Sequence, residues 1–196
     1  MTRYRSLQRH PLGAGTQLCY FDNGLPRHVR LEEEAAKVMT DLRRVPAVSI
    51  HPEISIDTAM QRMVHTGVRM LFVVDTLGNL VGLLTARDLM GTKPLQVATE
   101  RQVPRDSLQV GELMLPRDQI EVLDYAEVLR STVGDIVLTL KEAGRQHALV
   151  EEKKQQPEIC GVFSLSQIGR QLGIPIDTSG AVQSFAELEQ MLADHG

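Results

Sequence analysis

The chain has 196 residues and contains no tryptophan, only two cysteines and only 4% aromatic residues. It has no apolar run near the ~18 residues that a membrane helix needs, and no apolar segment of signal-peptide type follows its first residues. The net charge of −4 is mild and the basic residues are scattered, which predicts no nucleic-acid partner and no acidic membrane surface as partner. We therefore expect a cytoplasmic protein.

The common enzyme motifs are also missing. The sequence contains no glycine-rich phosphate loop, no Gly-x-Ser-x-Gly elbow and no pair of metal ligands at helical spacing, and its six histidines are dispersed. Cys160 lies in an apolar stretch and is expected to be buried, and nothing places a base near Cys19, so we expect neither a reactive thiol nor a disulfide. The sequence predicts a protein that is not an enzyme, with no catalytic residue, no metal site and no required cofactor.

An internal repeat is the most informative feature that is present. Residues 80–89 read LVGLLTARDL and residues 159–168 read ICGVFSLSQI. Aligning the two segments pairs Gly82 with Gly161, Thr85 with Ser164, and Asp88 with Gln167. A repeat of this kind predicts two copies of one structural unit that pack against each other.

The match continues upstream of these segments. In the first copy a helical apolar pattern ends at Gly67 and is followed by the apolar strand sequence 70–74; in the second copy a similar pattern ends at Gly144 and is followed by 147–150. Glycine directly after a helix suits the left-handed cap conformation, and the change of apolar period marks the change of element. Both copies therefore predict strand, helix, strand, turn, strand and helix.

These repeats resemble a tandem pair of cystathionine-β-synthase (CBS) domains, also known as a Bateman module, of the stand-alone bacterial type. The resemblance covers roughly residues 33–173 and is carried by the lead-in sequences 37–40 (KVMT) and 111–114 (GELM) and by the Gly-x-x-Thr/Ser-x-x-Asp endings. It implies an α/β (α+β) fold of two β-α-β-β-α repeats packed as a pseudo-twofold pair. It further implies that two such pairs associate as a homodimer.

The sequence divides into five segments on this basis. They are an N-terminal arm (1–31), a first repeat with a lead-in helix (32–91), a linker with two prolines (92–107), a second repeat (108–173) and a C-terminal tail (174–196). In the arm Leu18, Tyr20 and Phe21 are the candidate packing residues. The tail is expected to form a helix, because Ser184 and Glu187 have the spacing of a capping box.

The repeated endings predict a ligand site in the first copy. Gly82 would let a planar base approach the backbone, Thr85 would begin a helix whose free N–H groups attract phosphate, and Asp88 could accept hydrogen bonds from ribose hydroxyls. The alternative is that Thr85 is an ordinary helix cap and Asp88 a first-turn carboxylate beside the helix dipole.

The second copy has a hydroxyl at Ser164 but an amide at Gln167 in place of the carboxylate. An amide can accept a ribose hydrogen bond without the assistance of charge. We therefore expect the second site to be the weaker of the two.

The resemblance also implies further nucleotide contacts. Basic residues before the middle strand reach phosphate in related AMP-sensing subunits, and here these positions hold Arg69 in the first copy and Gln146 with His147 in the second. The segment Ser49, Ile50 and His51 corresponds to another contacting segment. Arg69 could equally be a surface arginine, His147 a partly buried strand residue and His51 a turn residue.

Two functions fit these patterns. The first is a non-catalytic regulatory module that binds an adenosine-type nucleotide (AMP, ADP, ATP or a related compound) between the CBS repeats and signals to an effector protein of unknown identity. The second is a dimerisation or interaction scaffold whose ligand clefts are vestigial. Thermal stabilisation by a nucleotide would separate the two, because a ligand that binds only the native state raises its stability.

Overall fold

The computed structural model describes residues 8, 11, 15–16 and 24–174. The predicted tail helix with Ser184, and the arm residues Leu18, Cys19, Tyr20 and Phe21, lie outside the described residues. Within the described part, no helix has the length and apolar character required to cross a membrane.

The described residues contain eight strands and seven α-helices. The strands are β1 (Thr40–Asp41), β2 (Ser49–Ile50), β3 (Met70–Val74), β4 (Leu80–Thr85), β5 (Leu115–Pro116), β6 (Val122–Asp124), β7 (His147–Glu152) and β8 (Glu158–Ser164). The helices are α1 (Ile56–Thr66), α2 (Ala86–Met90), α3 (Lys93–Arg101), α4 (Val110–Leu113), α5 (Tyr125–Val128), α6 (Val133–Glu142) and α7 (Leu165–Leu172). This mixed α+β architecture of two repeats confirms the predicted fold class.

Local sequence explains the long helix of each repeat. The Ser55 hydroxyl accepts a hydrogen bond from the Thr58 amide at the start of α1, and Gly67 ends this helix at φ 70°. In the second repeat Thr132 and Asp135 form a capping box at the start of α6. Gly144 follows α6 at φ 62°, as predicted.

The strands form two four-stranded sheets, ordered β2-β3-β4-β5 and β1-β8-β7-β6. In each sheet the central hairpin comes from one repeat, and an edge strand comes from the lead-in of the other repeat. Thr40 pairs with Val162, and Leu115 pairs with Leu83. The two repeats therefore exchange their lead-in strands, which holds them together through main-chain hydrogen bonds as well as through side-chain packing.

A small apolar core joins the two sheets. It contains Met70, Phe72 and Leu83 from the first sheet with Leu149 and Val162 from the second. Each repeat has a separate, larger core between its own sheet and helices. The faces of the sheets thus meet as the predicted pseudo-twofold packing requires.

Two predicted segments differ from the structure. The linker 92–107 contains helix α3, because Pro94 occupies the first turn of this helix, where a missing N–H costs no hydrogen bond. The lead-in helix predicted after residue 31 is only a 3₁₀ turn, Ala35–Val38. It stops there because Thr40 and Asp41 extend to pair with β8.

The end of the N-terminal arm packs on α7. The Val29 amide donates to the Gln171 carbonyl at 3.0 Å, and the Gln171 side-chain Nε2 donates to the Pro26 carbonyl at 2.8 Å. Val29 and Gln171 are both buried. The arm is thus attached to the last helix of the second repeat.

Candidate functional site: a cavity between the two repeats

A cavity of about 650 Å³ lies where the lead-in of the first repeat meets the start of β3 and the β8–α7 junction. We call it the inter-repeat cavity. Its lining residues are Thr40, Leu42, Val45, Pro46, Ala47, Val48, Thr66, Gly67, Val68, Arg69, Met70, Phe72, His147, Val162, Ser164, Ser166, Gln167 and Arg170. This volume is in the range of small-molecule and cofactor sites, and the mixture of apolar walls with a few polar groups is typical of them.

The polar side of the inter-repeat cavity begins where β8 becomes α7. Ser164 ends the strand opposite His147, and its Oγ lies 3.2 Å from Ser166 Oγ. The Ser164 side chain at the N-cap makes no capping hydrogen bond to the first turn of α7. Gln167 lies in that turn, and its Nε2 is buried without a hydrogen-bond partner among the described residues. A buried amide N–H without a partner is costly, so this group is available to a ligand.

His147 presents a second buried atom without a partner. Its Nδ1 makes no hydrogen bond within the described part of the chain. Burial lowers the pKa of His147 to about 4, and the nearby positive charge of Arg69 acts in the same direction. The imidazole is therefore neutral at neutral pH and can offer one donor and one acceptor.

The structure brings Arg69 and His147 into one cavity with Ser164 and Gln167. The sequence assigned Arg69 to the first copy and the other three to the second. Arg69 directly precedes β3 and His147 begins β7, and both of these strand starts border the cavity.

Arg170 is a lining residue that the sequence analysis missed. It lies three residues after Gln167 on α7, which puts both side chains on one face of the helix. This i, i+3 spacing is the signal that could have revealed it.

The corresponding groups of the first copy are already bonded to each other. Asp88 Oδ2 accepts from the Thr85 amide at 2.8 Å and from the Thr85 hydroxyl at 2.6 Å, and the Asp88 amide donates to Thr85 Oγ1 at 3.3 Å. These bonds form a capping box for α2, which is the alternative interpretation of this motif. A ligand that used Asp88 would have to compete with the cap.

Gly82 was expected to let a base approach the backbone, but the protein itself occupies that space. A Cβ at Gly82 would lie 2.8 Å from the Leu115 carbonyl oxygen and would also overlap the Met114 side chain. Gly161 is covered in the same manner by the Met39 side chain. The glycines are needed because the exchanged lead-in strands pass directly over them.

Ser49, Ile50 and His51 do not line the inter-repeat cavity. Ser49 and Ile50 pair in parallel with Phe72 and Val73, and His51 Nδ1 lies 3.1 Å from the Val74 carbonyl oxygen. The residues just before them, 45–48, line the cavity instead. Residues 49–51 lie outside the cavity because the chain joins the first sheet at Ser49, where β2 begins.

Comparison with known families identifies the first repeat. Residues 35–93 match the family model described as the CBS domain. An uncharacterized protein from Methanopyrus kandleri, MK0525, is 31% identical over 62 residues, which is 32% of each chain. The alignment thus spans about a third of this curated relative.

Solved structures share the architecture of both repeats. A conserved protein from Pyrococcus horikoshii aligns with 77% of this chain and 100% of its own, at TM-score 0.55 and 20% identity. The CBS-domain protein ATU1752 from Agrobacterium tumefaciens aligns with 78% of this chain and 98% of its own, at TM-score 0.53 and 17% identity. CBSX2, a CBS-pair protein of Arabidopsis thaliana, has been solved in complex with AMP; it aligns with 70% of this chain and 94% of its own, at TM-score 0.50 and 21% identity.

The matched family model covers the first repeat, and the solved structures share the two-repeat fold. Residues 35–93 are therefore similar to a CBS domain, and the described part of the chain has the fold of these two-repeat structures.

Proposed function

We propose that this protein is a non-catalytic regulatory module that binds an adenosine-type nucleotide in the inter-repeat cavity. The proposal rests on two buried polar atoms, Gln167 Nε2 and His147 Nδ1, that have no hydrogen-bond partner among the described residues and belong to side chains lining one cavity of about 650 Å³. Native proteins rarely leave such groups unsatisfied, and a ligand can supply the missing hydrogen bonds.

The composition of the cavity supports an adenosine compound. Apolar side chains, among them Val48, Val68 and Val162, offer a surface for a flat base. Hydroxyl and amide groups at Ser164 and Gln167 are suited to a ribose, and Arg69 to a phosphate. The complex of the related CBSX2 with AMP supports the same class of ligand.

This assignment favours the second copy over the first as the main site. The side-chain amide of Gln167 is free to bind, whereas Asp88 is engaged by Thr85. The first cleft, with Thr85 and Asp88, is a second candidate site, and it would bind more weakly because its cap must open.

Calorimetric titration with AMP, ADP, ATP and adenosine tests the proposal. We expect at least one of them to bind, and Gln167→Leu, which retains the size of the side chain, to weaken that binding. Asp88→Asn is the matched control in the other repeat and should bind as the wild type does. Binding that is lost in the Asp88 variant and retained in the Gln167 variant would refute the choice of cavity.

A scaffold function is the second candidate, and exposed apolar side chains favour it. Val64, Met90 and Leu95 are 73%, 69% and 63% exposed on the successive helices α1, α2 and α3. We propose that these exposed side chains contribute to a homodimer or to contact with an effector protein. Light scattering at micromolar concentration checks the dimer, and a monomeric mass would exclude it.

A further inference from the structure

The permanently charged residues that line the inter-repeat cavity are all of one sign. Arg69 and Arg170 are its two permanently charged lining residues, and none of the eighteen described residues that line it is acidic. The lining of the cavity is therefore positively charged, although the whole chain has a net charge of −4. His147 adds no charge near neutral pH, because burial holds its pKa at about 4.

The residue that makes this difference is Gln167. At the aligned position of the first copy the chain has the carboxylate of Asp88, whereas the second copy has a neutral amide with a free Nε2. Arg170 lies about one helical turn beyond Gln167 on the same face, and because residue 167 is an amide, no carboxylate among the cavity residues offsets the charge of Arg170.

We propose that the inter-repeat cavity selects adenosine compounds by charge, and that Arg170 is the residue that favours a phosphate-bearing nucleotide over a neutral or cationic one. This inference rests on the proposed function and assigns it a ligand class. Arginine binds phosphate through charge-assisted hydrogen bonds, which are about twice as strong as neutral ones. A sulfonium compound such as S-adenosylmethionine would place its positive charge beside two arginines.

The test is calorimetric titration of the full chain with AMP, ATP, adenosine, S-adenosylmethionine and inorganic tripolyphosphate. We expect AMP and ATP to bind at least about tenfold more tightly than adenosine, as one or more hydrogen bonds to a charged group imply. S-adenosylmethionine should bind more weakly than adenosine. The affinity for AMP should fall as salt is raised, and that for adenosine should not.

Variants identify the residue responsible. Arg170→Met keeps much of the side-chain volume and should reduce the affinity for AMP about tenfold while leaving that for adenosine unchanged. Gln167→Asp should reduce or reverse the difference in affinity between AMP and S-adenosylmethionine. Arg130→Gln, at an exposed arginine of the second repeat that does not line the cavity, is the matched control and should behave as the wild type.

The outcomes separate this inference from the proposed function. Equal affinities for AMP and adenosine, or an Arg170 variant that binds AMP normally, would overturn the charge selection and leave the adenosine site standing. Binding of tripolyphosphate that depends on Arg170, with no binding of any adenosine compound, would refute the proposed function and support the anion selectivity. Absence of binding by every compound would overturn both.

Discussion

The carbonyl oxygen of Leu115 lies 2.8 Å from the point where a Cβ on Gly82 would be. Leu115 belongs to the lead-in strand of the second repeat, and Gly82 to the central hairpin of the first. The space beside Gly82 is therefore closed by a backbone atom of the other repeat, which cannot move aside as a side chain can. Gly161 has the equivalent position in the second repeat, but it is covered by the flexible side chain of Met39.

This difference predicts unequal effects of adding one methyl group. Gly82→Ala should destabilise the protein by about 1–3 kcal/mol, the usual cost of overpacking, because the β5 backbone must shift. Gly161→Ala should cost less, since Met39 can change rotamer. Gly134→Ala is the control, because a Cβ there meets only ordinary contacts at 3.4 Å and alanine favours the helix.

Urea denaturation of the three variants measures these effects. Equal losses at Gly82 and Gly161 would show that the backbone contact is not the cause. A loss of stability in Gly134→Ala as large as that in Gly82→Ala would show that the added methyl group destabilises the protein whatever its contacts.

The lead-in exchange also shows where the sequence stops being informative. The repeat, the glycine caps at Gly67 and Gly144, and the order of elements follow from periodicity and turn chemistry, and they were predicted correctly. Strands β1 and β5 have two residues each and no periodic pattern, so their partners depend on how the two repeats pack. For the same reason the alignment paired Gly82 with Gly161, but Gly82 was assigned to ligand contact and neither glycine to the crossing of the lead-in strands.

For the candidate site as well, the sequence indicated single residues but not how they come together. The aligned copies pointed to Ser164 and Gln167, and the resemblance to CBS domains pointed to Arg69 and His147. Their meeting in one cavity requires the pseudo-twofold geometry, which places the start of β3 beside α7. The residue pattern at Thr85 and Asp88 allowed either a ligand site or a helix cap, and the hydrogen bonds of the structure show the cap.

The buried histidine predicts a pH dependence of stability. Because burial and Arg69 lower the pKa of His147 from 6.5 to about 4, the unfolded chain binds a proton there more readily than the folded chain does. Stability should therefore decrease as the pH falls from 6.5 towards 4. His147→Asn should reduce this slope, as measured by chemical denaturation at several pH values.

His65→Asn controls for the loss of a histidine, because His65 is exposed on α1. A slope that is the same in the wild type and the His147 variant would contradict the assignment. Titration of the imidazole resonances by NMR gives the pKa directly.

The capping box of α6 predicts a second pH effect at lower pH. The Thr132 amide and hydroxyl donate to Asp135 at 2.7 and 2.8 Å, and these hydrogen bonds hold the pKa of Asp135 below its ordinary 3.8. A lowered carboxyl pKa contributes stability that is present above 3.8 and is lost as the pH falls through the folded value. Asp135→Asn should therefore be less stable than the wild type at pH 7, and the difference should shrink at acid pH.

The measurement is the free energy of unfolding of both proteins between about pH 2.5 and 7, a range that extends roughly one unit or more to each side of the ordinary carboxyl pKa. Asp118→Asn removes a carboxylate from an exposed turn and is the control for the change in net charge. A difference between wild type and the Asp135 variant that stays constant down to the lowest pH would show that the hydrogen bonds do not discriminate between the two protonation states.

Helix α7 connects the inter-repeat cavity to the N-terminal arm, and this connection predicts how a bound nucleotide could be sensed. Gln167 and Arg170 line the cavity, and the next residue, Gln171, holds Pro26 and Val29 through two hydrogen bonds. A ligand that fixes α7 should therefore slow hydrogen exchange at the Val29 amide more than in the core strand β3, which is already protected.

Gln171→Leu removes the bond to Pro26 and should weaken the response of the arm without lowering the affinity for nucleotide. Unchanged exchange at Val29 at saturating nucleotide, with binding confirmed by calorimetry, would show that the arm does not report the state of the cavity.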